Sequence, residues 1–291
     1  VQQTLQYLHS AFAEHEKAAL AFSGGGDSTV LLDVIYRLTP YRPVLIWSDS
    51  RMEYPDSEQF IRDCATRYGA ELLIAQAPCE PLEQWERYGW PMLGKMAARH
   101  WQAKHKQQDF RCDVTGCCRR MKIAPARKLL KQRGATLQIT GQRGARDDTL
   151  RGMRAYKDGV TKFVEADALT ICNPLTGWTD LMIRRYIEQN QILQHPAKSR
   201  GALTIGCMYC GGGAQFDNSG FRVLRHTEPA AWWRFMVDWR AGEIILAIKH
   251  NVSRRVIRLA LERLGGLGRV ATEKPWVFDF LRDTPLPGYV R

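Results

Sequence analysis

An apolar pentad, Ala18 to Phe22, runs straight into Ser23-Gly24-Gly25-Gly26-Asp27-Ser28, and a helix-like run follows through Val30, Leu31, Val34 and Leu38. Strand, glycine turn and helix in that order narrow the choice of fold more than any other stretch. The pattern repeats. Pro43 to Trp47 reads as a second buried strand ending at Ser48-Asp49-Ser50. Pro55 to Tyr68 reads as a helix, and Glu71 to Ala75 as a third strand. Such alternation predicts an α/β fold, a parallel twisted sheet with helices on both faces.

The glycine turn also has a chemistry. Glycines let the backbone approach a ligand closely and turn its N–H groups inward. The helix behind them adds its positive N-terminal end, and Ser23 and Ser28 add hydroxyl donors. This suits phosphate. No Gly-Lys-Ser/Thr follows, so it is not a Walker loop. The spacing of a dinucleotide fingerprint is absent too. In open α/β sheets ligands sit beyond the carboxyl ends of strands, which places Asp49 and Ser50 against the adenosine half of a nucleotide.

The rest of the chain reads as helices and one more strand. Gln2 to Glu16 is amphipathic, with Leu5, Leu8 and Phe12 at helical spacing. Pro81 to Gln108 is helical and rich in Trp, and Arg119 to Arg133 is a basic amphipathic helix. Thr136 to Thr140 is a strand running into Gly141-Gln142-Arg143. Asn173-Pro174-Leu175 marks a turn, and Thr179 is placed to cap a helix reaching Asn190. Glu228 to Leu264 forms short helices, with Trp232, Trp233, Phe235 and Trp239 supplying core. The expected organisation is a nucleotide-binding domain over residues 1–215 and a helical C-terminal extension over 216–291 packed on it.

The formal charge of +12 favours polyanionic partners, nucleotides and nucleic acid among them. One basic cluster runs from Arg111 to Arg133, with Asp113 as its single acid; a second runs from Arg254 to Arg269. For the second, a solvated helix face and a nucleic-acid contact are equally good readings. No apolar run reaches the ~18 residues that span a bilayer, so no membrane partner is expected. The N-terminal residues lack the layout of a secretion signal, and eight cysteines then fit a reducing cytoplasm better than a disulfide framework.

Four of those cysteines form two remote pairs: Cys117-Cys118, and Cys207 with Cys210 in a glycine-rich loop. Four thiolates can hold zinc or an iron–sulfur cluster, or remain uncoordinated. Adjacent cysteines point in different directions and converge poorly on one ion. A [4Fe–4S] cluster offers separate irons and suits them better. Cys64 and Cys172 read as small buried hydrophobes.

Several short stretches resemble a known family. Ser23 to Ser28 looks like the PP-loop of the adenine-nucleotide alpha-hydrolase superfamily, whose members split ATP or bind an adenylyl sulfate. That loop often carries Lys at the position of Gly26, so one cation is missing here. Cys117-Cys118-Arg119-Arg120-Met121-Lys122 with Pro125, and Ile205-Gly206-Cys207-Met208-Tyr209-Cys210, resemble the two cysteine elements of sulfonucleotide (PAPS/APS) reductases. Asn173-Pro174-Leu175 with Trp178-Thr179, and Thr140-Gly141-Gln142-Arg143, resemble two more of their elements. The resemblance implies ATP, or APS/PAPS, on Ser23, Gly24, Gly25, Gly26, Asp27, Ser28, Asp49, Ser50 and Gly141. It implies Mg²⁺ on the phosphates and a [4Fe–4S] cluster on Cys117, Cys118, Cys207 and Cys210. It puts Lys122 between cluster and substrate and Arg143 against phosphate or sulfate, with Asp27 as the third catalytic candidate.

The resemblance also breaks. Those reductases attack sulfate sulfur with a cysteine near the C-terminus, and residues 211–291 contain none. Cys112 and Cys79 are the free substitutes; Arg111 beside Cys112 would lower its pKa, but inert packing is the better reading of Cys112. Trp90 to Gly94 and Cys207 to Arg225 look more like a branch akin to the ATP pyrophosphatases of DNA phosphorothioation. The expectation is therefore an ATP-splitting enzyme of sulfur transfer acting on nucleic acid. A sulfur-donor protein of the cysteine desulfurase type, or thioredoxin, would be its partner. The alternatives are an APS/PAPS reductase making sulfite, and a non-enzymatic, cluster-bearing nucleic-acid-binding subunit.

Overall fold

The computed structural model describes residues 1–104, 110–144, 159–214 and 220–281. Six strands form one sheet: β1 (Ala18–Ala21), β2 (Val44–Asp49), β3 (Leu72–Gln76), β4 (Leu137–Thr140), β5 (Thr161–Val164) and β6 (Leu169–Cys172), in the spatial order β3-β2-β1-β4-β6-β5. Five are parallel, so their carboxyl ends open on one side. From β1 the sheet grows one way through β2 and β3 and the other way through β4 and β6. The boundary between β1 and β4 is thus the topological switch point, where open α/β sheets hold ligands.

The helices flanking this sheet are α1 (Gln2–Glu14), α2 (Gly26–Leu38) and α3 (Ser57–Tyr68). Alternation along the strands explains why both faces are covered. Ala18, Leu20 and Phe22 enter one apolar cluster with Leu45, Trp47, Leu137 and Ile139, packed against residues of α1, α2 and α3. Ala19 and Ile46 point the other way, into a smaller cluster with Ala126 and Leu130. Successive side chains on a strand face opposite sides, so a sheet buried on both needs nearly continuous apolar sequence.

The third cluster lies off the sheet. Trp85, Trp90, Met92, Trp101, Cys117 and Met121 share one core with Tyr209, Phe221, Phe235, Ile244, Ile245 and Phe278. The C-terminal helices, between residues 220 and 281, are therefore built onto the segment that carries the paired cysteines. Residues 216–219 and 282–291 of the expected extension lie outside the described residues.

Four sequence expectations need correction. The sheet is not wholly parallel: β5 pairs antiparallel with β6, and neither short strand shows in the local pattern. The Trp-rich stretch is not one helix. It forms α4 (Pro81–Tyr88) and α5 (Lys95–Lys104), separated where Trp90 N–H donates to Arg111 O at 2.8 Å, and residues 105–108 lie outside the described residues. The basic helix is α6 (Val114–Cys118), a π turn over Arg119–Ile123, and α7 (Ala124–Gln132). Its buried positions are Cys117, Met121, Ala126 and Leu130, and the five-residue step in that series matches the wider i→i+5 turn. Last, Trp232 and Phe235 are core but Trp233 is 38% exposed.

Candidate functional site

The glycine loop leaves β1 at the switch point. Gly24 has φ +73°, a conformation open to glycine at little cost, and Gly25 is the N-cap of α2. Its hydroxyls hold it together. Ser28 Oγ donates to Gly25 O at 2.9 Å and lies 3.2 Å from Ser23 Oγ, and Thr29 Oγ1 donates to Gly25 O at 3.0 Å. The result is a glycine turn, with Gly25 N–H donating to Ser23 Oγ at 3.4 Å, ahead of a helix dipole, an arrangement suited to phosphate.

Gly141 ends β4 against this loop. A Cβ there would stand 3.0 Å from Asp27 C and 3.0 Å from Ser28 N, both backbone atoms. Only glycine lets the two chain segments meet so closely. Two residues on, Arg143 is buried. Its Nε lies 3.1 Å from Asp27 Oδ1, its Nη2 2.5 Å from Asp180 Oδ1, and its Nη1 donates to Trp178 O at 3.2 Å. Arg143 thus reaches the loop through Asp27, in the first turn of α2. Thr179 caps the helix that supplies Asp180, α8 (Asp180–Gln189), accepting from Met182 N–H at 3.2 Å.

At the end of β2 the side chains turn toward the cysteines. Asp49 accepts from Arg51 N–H at 2.8 Å. Ser50 is buried; its Oγ donates to Glu53 Oε1 at 2.7 Å and lies 3.3 Å from Cys207 Sγ. Lys122 Nζ sits 2.9 Å from the same Glu53 oxygen, and Ser48 Oγ donates to Lys122 O at 3.4 Å. Met208 N–H donates to Met52 O at 2.7 Å, tying the Cys207 loop to the β2 end. The structure therefore joins Ser50, Lys122 and Cys207 around Glu53, a residue without a motif to announce it. Burial opposes the Lys122 charge, but Cys207 and Glu53 outweigh it and push its pKa up.

The second cysteine pair lies near the first. A Cβ on Gly212 would be 3.5 Å from Cys210 Sγ and 3.6 Å from Val114, which stands in the helix of Cys117 and Cys118. Burial pushes the Cys117 thiol up to about 12, and the thiols of Cys207, Cys210 and Cys118 add to that rise. Among the described residues no three His, Cys, Asp or Glu side chains are grouped as a site for a metal ion. As donors, four thiols fit iron or zinc. Cys112 is inert packing, as expected: it is 3% exposed, and burial drives its thiol upward despite the neighbouring Arg111.

Residues 17–212 match the phosphoadenosine phosphosulfate reductase domain. The chain belongs to that family. An adenosine 5'-phosphosulfate reductase of Halalkalibacterium halodurans is 29% identical over 67% of this chain and 74% of its own length. A phosphoadenosine 5'-phosphosulfate reductase of Photobacterium profundum is 26% identical over 65% of each chain. The phosphoadenylyl-sulfate reductase of Candida auris, solved with phosphate, shares the fold with a TM-score of 0.51 at 19% identity, over 70% of this chain and 87% of its own. The family match ends just past Cys210, before the C-terminal helices. Among the described residues no helix is long and apolar enough to cross a membrane.

Proposed function

We propose that the chain is an adenine-nucleotide enzyme of sulfur transfer that splits ATP to pyrophosphate and acts on nucleic acid. The observation that carries it is the adjacency of two devices at neighbouring strand ends. β1, which runs into the phosphate loop, pairs parallel with β2, whose end leads into the Ser50–Glu53–Lys122–Cys207 group, so the two leave the sheet from neighbouring strands on the same side. A nucleotide seated on Ser23–Ser28 would bring its α-phosphorus toward that group.

The loop from Gly24 to Ser28 and the α2 dipole would hold the β and γ phosphates, and Mg²⁺, when bound, would supply positive charge to offset theirs. An acceptor oxygen attacks the α-phosphorus, the α–β bridging bond breaks, and pyrophosphate leaves. The adenylated oxygen is then a leaving group for a sulfur nucleophile, with AMP departing. Arg143, ion-paired with Asp27 in the loop and with Asp180, would offset the charge that develops on pyrophosphate. Lys122 neutralises anionic charge on the thiol side. Cys117, Cys118, Cys207 and Cys210 are the residues that would hold a [4Fe–4S] cluster, because adjacent cysteines can each take a different iron. When bound, such a cluster supplies an electron- or sulfur-handling centre beside the pocket.

The relatives' names favour a second reading, reduction of an adenylyl sulfate to sulfite. Against it, Cys112, a candidate substitute for a sulfate-attacking thiol, is buried, and that burial pushes its thiol away from the reactive range. Two assays separate the readings. Pyrophosphate released from ATP, with DNA raising the rate, is the expected outcome. Sulfite formed from adenylyl sulfate with thioredoxin, and no pyrophosphate from ATP, would replace this proposal with the reductase.

A further inference from the structure

We infer that the outer face of the cysteine-bearing helix docks the phosphate backbone of duplex DNA through Arg119, Lys128 and Lys131. The inference rests on the reading of nucleic acid as the acceptor and goes further by assigning the surface. From Val114 to Ala135 the chain has no acidic residue. An ordinary solvated helix interleaves both signs.

The structure sorts these bases into two sets. Arg120 pairs with Asp113 at 2.9 Å, Lys122 with Glu53 at 2.9 Å, Arg133 with Glu71 at 3.0 Å, and Arg127 with Asp167. Arg119, Lys128 and Lys131 make no ion pair among the described residues and are exposed.

Their placement follows from the helix. The buried series is Cys117, Met121, Ala126, Leu130; Arg119, Ala124, Lys128 and Lys131 follow these by one to three residues and are exposed, so they lie on the solvent side. From Arg119 to Lys131 the axis extends ~18 Å. That is roughly the run of five phosphates on one strand of B-DNA. The inner face of the same helix carries Cys117 and Lys122, so a duplex held outside would lie at the rim of the site.

The C-terminal arginines are the competing surface, and the structure disfavours them. Arg240, Arg254 and Arg258 all bind the buried Glu243. Arg255 and Arg263 remain, but they share their outer face with Glu262 and with Val256 and Leu259, each about half exposed.

The test is a salt titration of binding to a short labelled duplex of arbitrary sequence, read by fluorescence anisotropy with the full chain. Each lost phosphate contact lowers the slope of log K against log salt by about 0.9. R119A/K128A/K131A should lower it by about 3, and K128A/K131A, which leaves the residue next to Cys118 untouched, by about 2. R255A/R263A should leave it unchanged. If the C-terminal pair takes the loss while the triple variant keeps the wild-type slope, the surface is wrong and the acceptor reading stands. If the unaltered protein does not bind the duplex, both fall.

Discussion

Glu243 offers a quantitative test of how the C-terminal helices are held. It lies in the first turn of α9 (Ala241–His250), its side chain 1% exposed. Oε2 accepts from Arg254 Nε at 2.6 Å and Arg258 Nε at 2.9 Å, and Oε1 accepts from Arg240 Nε at 2.7 Å. Burial raises the Glu243 pKa, but the three guanidiniums outweigh it and hold the carboxyl below its usual 4.5. Glu243→Gln keeps the shape and removes the charge. Breaking a buried ion pair by deleting one partner costs about 3–5 kcal/mol. Here only Arg254, at 13% exposure, stays well buried, while Arg258 at 41% and Arg240 at 54% can rehydrate. The expected loss is therefore smaller, about 2–3 kcal/mol at neutral pH. Urea unfolding of both proteins across pH measures it. Because the native pKa is depressed, the wild-type advantage is complete above 4.5 and disappears as pH falls through the native value. A neutral-pH difference under about 0.5 kcal/mol, typical of an uninvolved surface site, or a gap that does not narrow in acid, would refute the clamp.

Gly141→Ala should weaken ATP binding by about tenfold or more, since its Cβ must displace the backbone of Asp27 and Ser28 at a cost of about 1–3 kcal/mol; calorimetric titration at unchanged affinity would remove Gly141 from the site. Cys207→Ser and Cys117→Ser, prepared without oxygen, should each lose the absorbance near ~400 nm expected of an iron–sulfur protein. Full retention of iron in both would take those thiols out of the ligand set. Lys122→Ala leaves Glu53, 8% exposed, short of its cation and should cost about 1–3 kcal/mol in unfolding free energy. It should also lower pyrophosphate release, and an unaltered rate would make Lys122 purely structural.

The strand and loop framework was legible because its signals are local. Glycine needs, apolar runs and helix caps are properties of a few consecutive residues, and β1, β2, β3, β4, the loop at Ser23–Ser28 and the Thr179 cap stand where those signals put them. The β5–β6 pair was not legible. Each strand is four residues long, and β5 reads exposed, exposed, exposed, half-buried, so no alternation marks it. The π turn was hidden as well, since nothing in Arg119–Ile123 distinguishes a five-residue step from a four-residue one.

Residue chemistry and spacing along the chain settle that a phosphate loop follows a buried strand, and that two thiol pairs exist to be joined. Which side chains then meet is a matter of long-range packing. Glu53 gathers Ser50, Lys122 and Cys207 only because the β2 end, the π turn and the Cys207 loop converge on it. The same holds for the charges. The seven bases between Arg119 and Arg133, with no acid among them, look uniform until the fold brings Asp113, Asp167 and Glu71 to some of them and leaves Arg119, Lys128 and Lys131 facing water. A sequence lists charges; only the folded chain decides which of them are already neutralised.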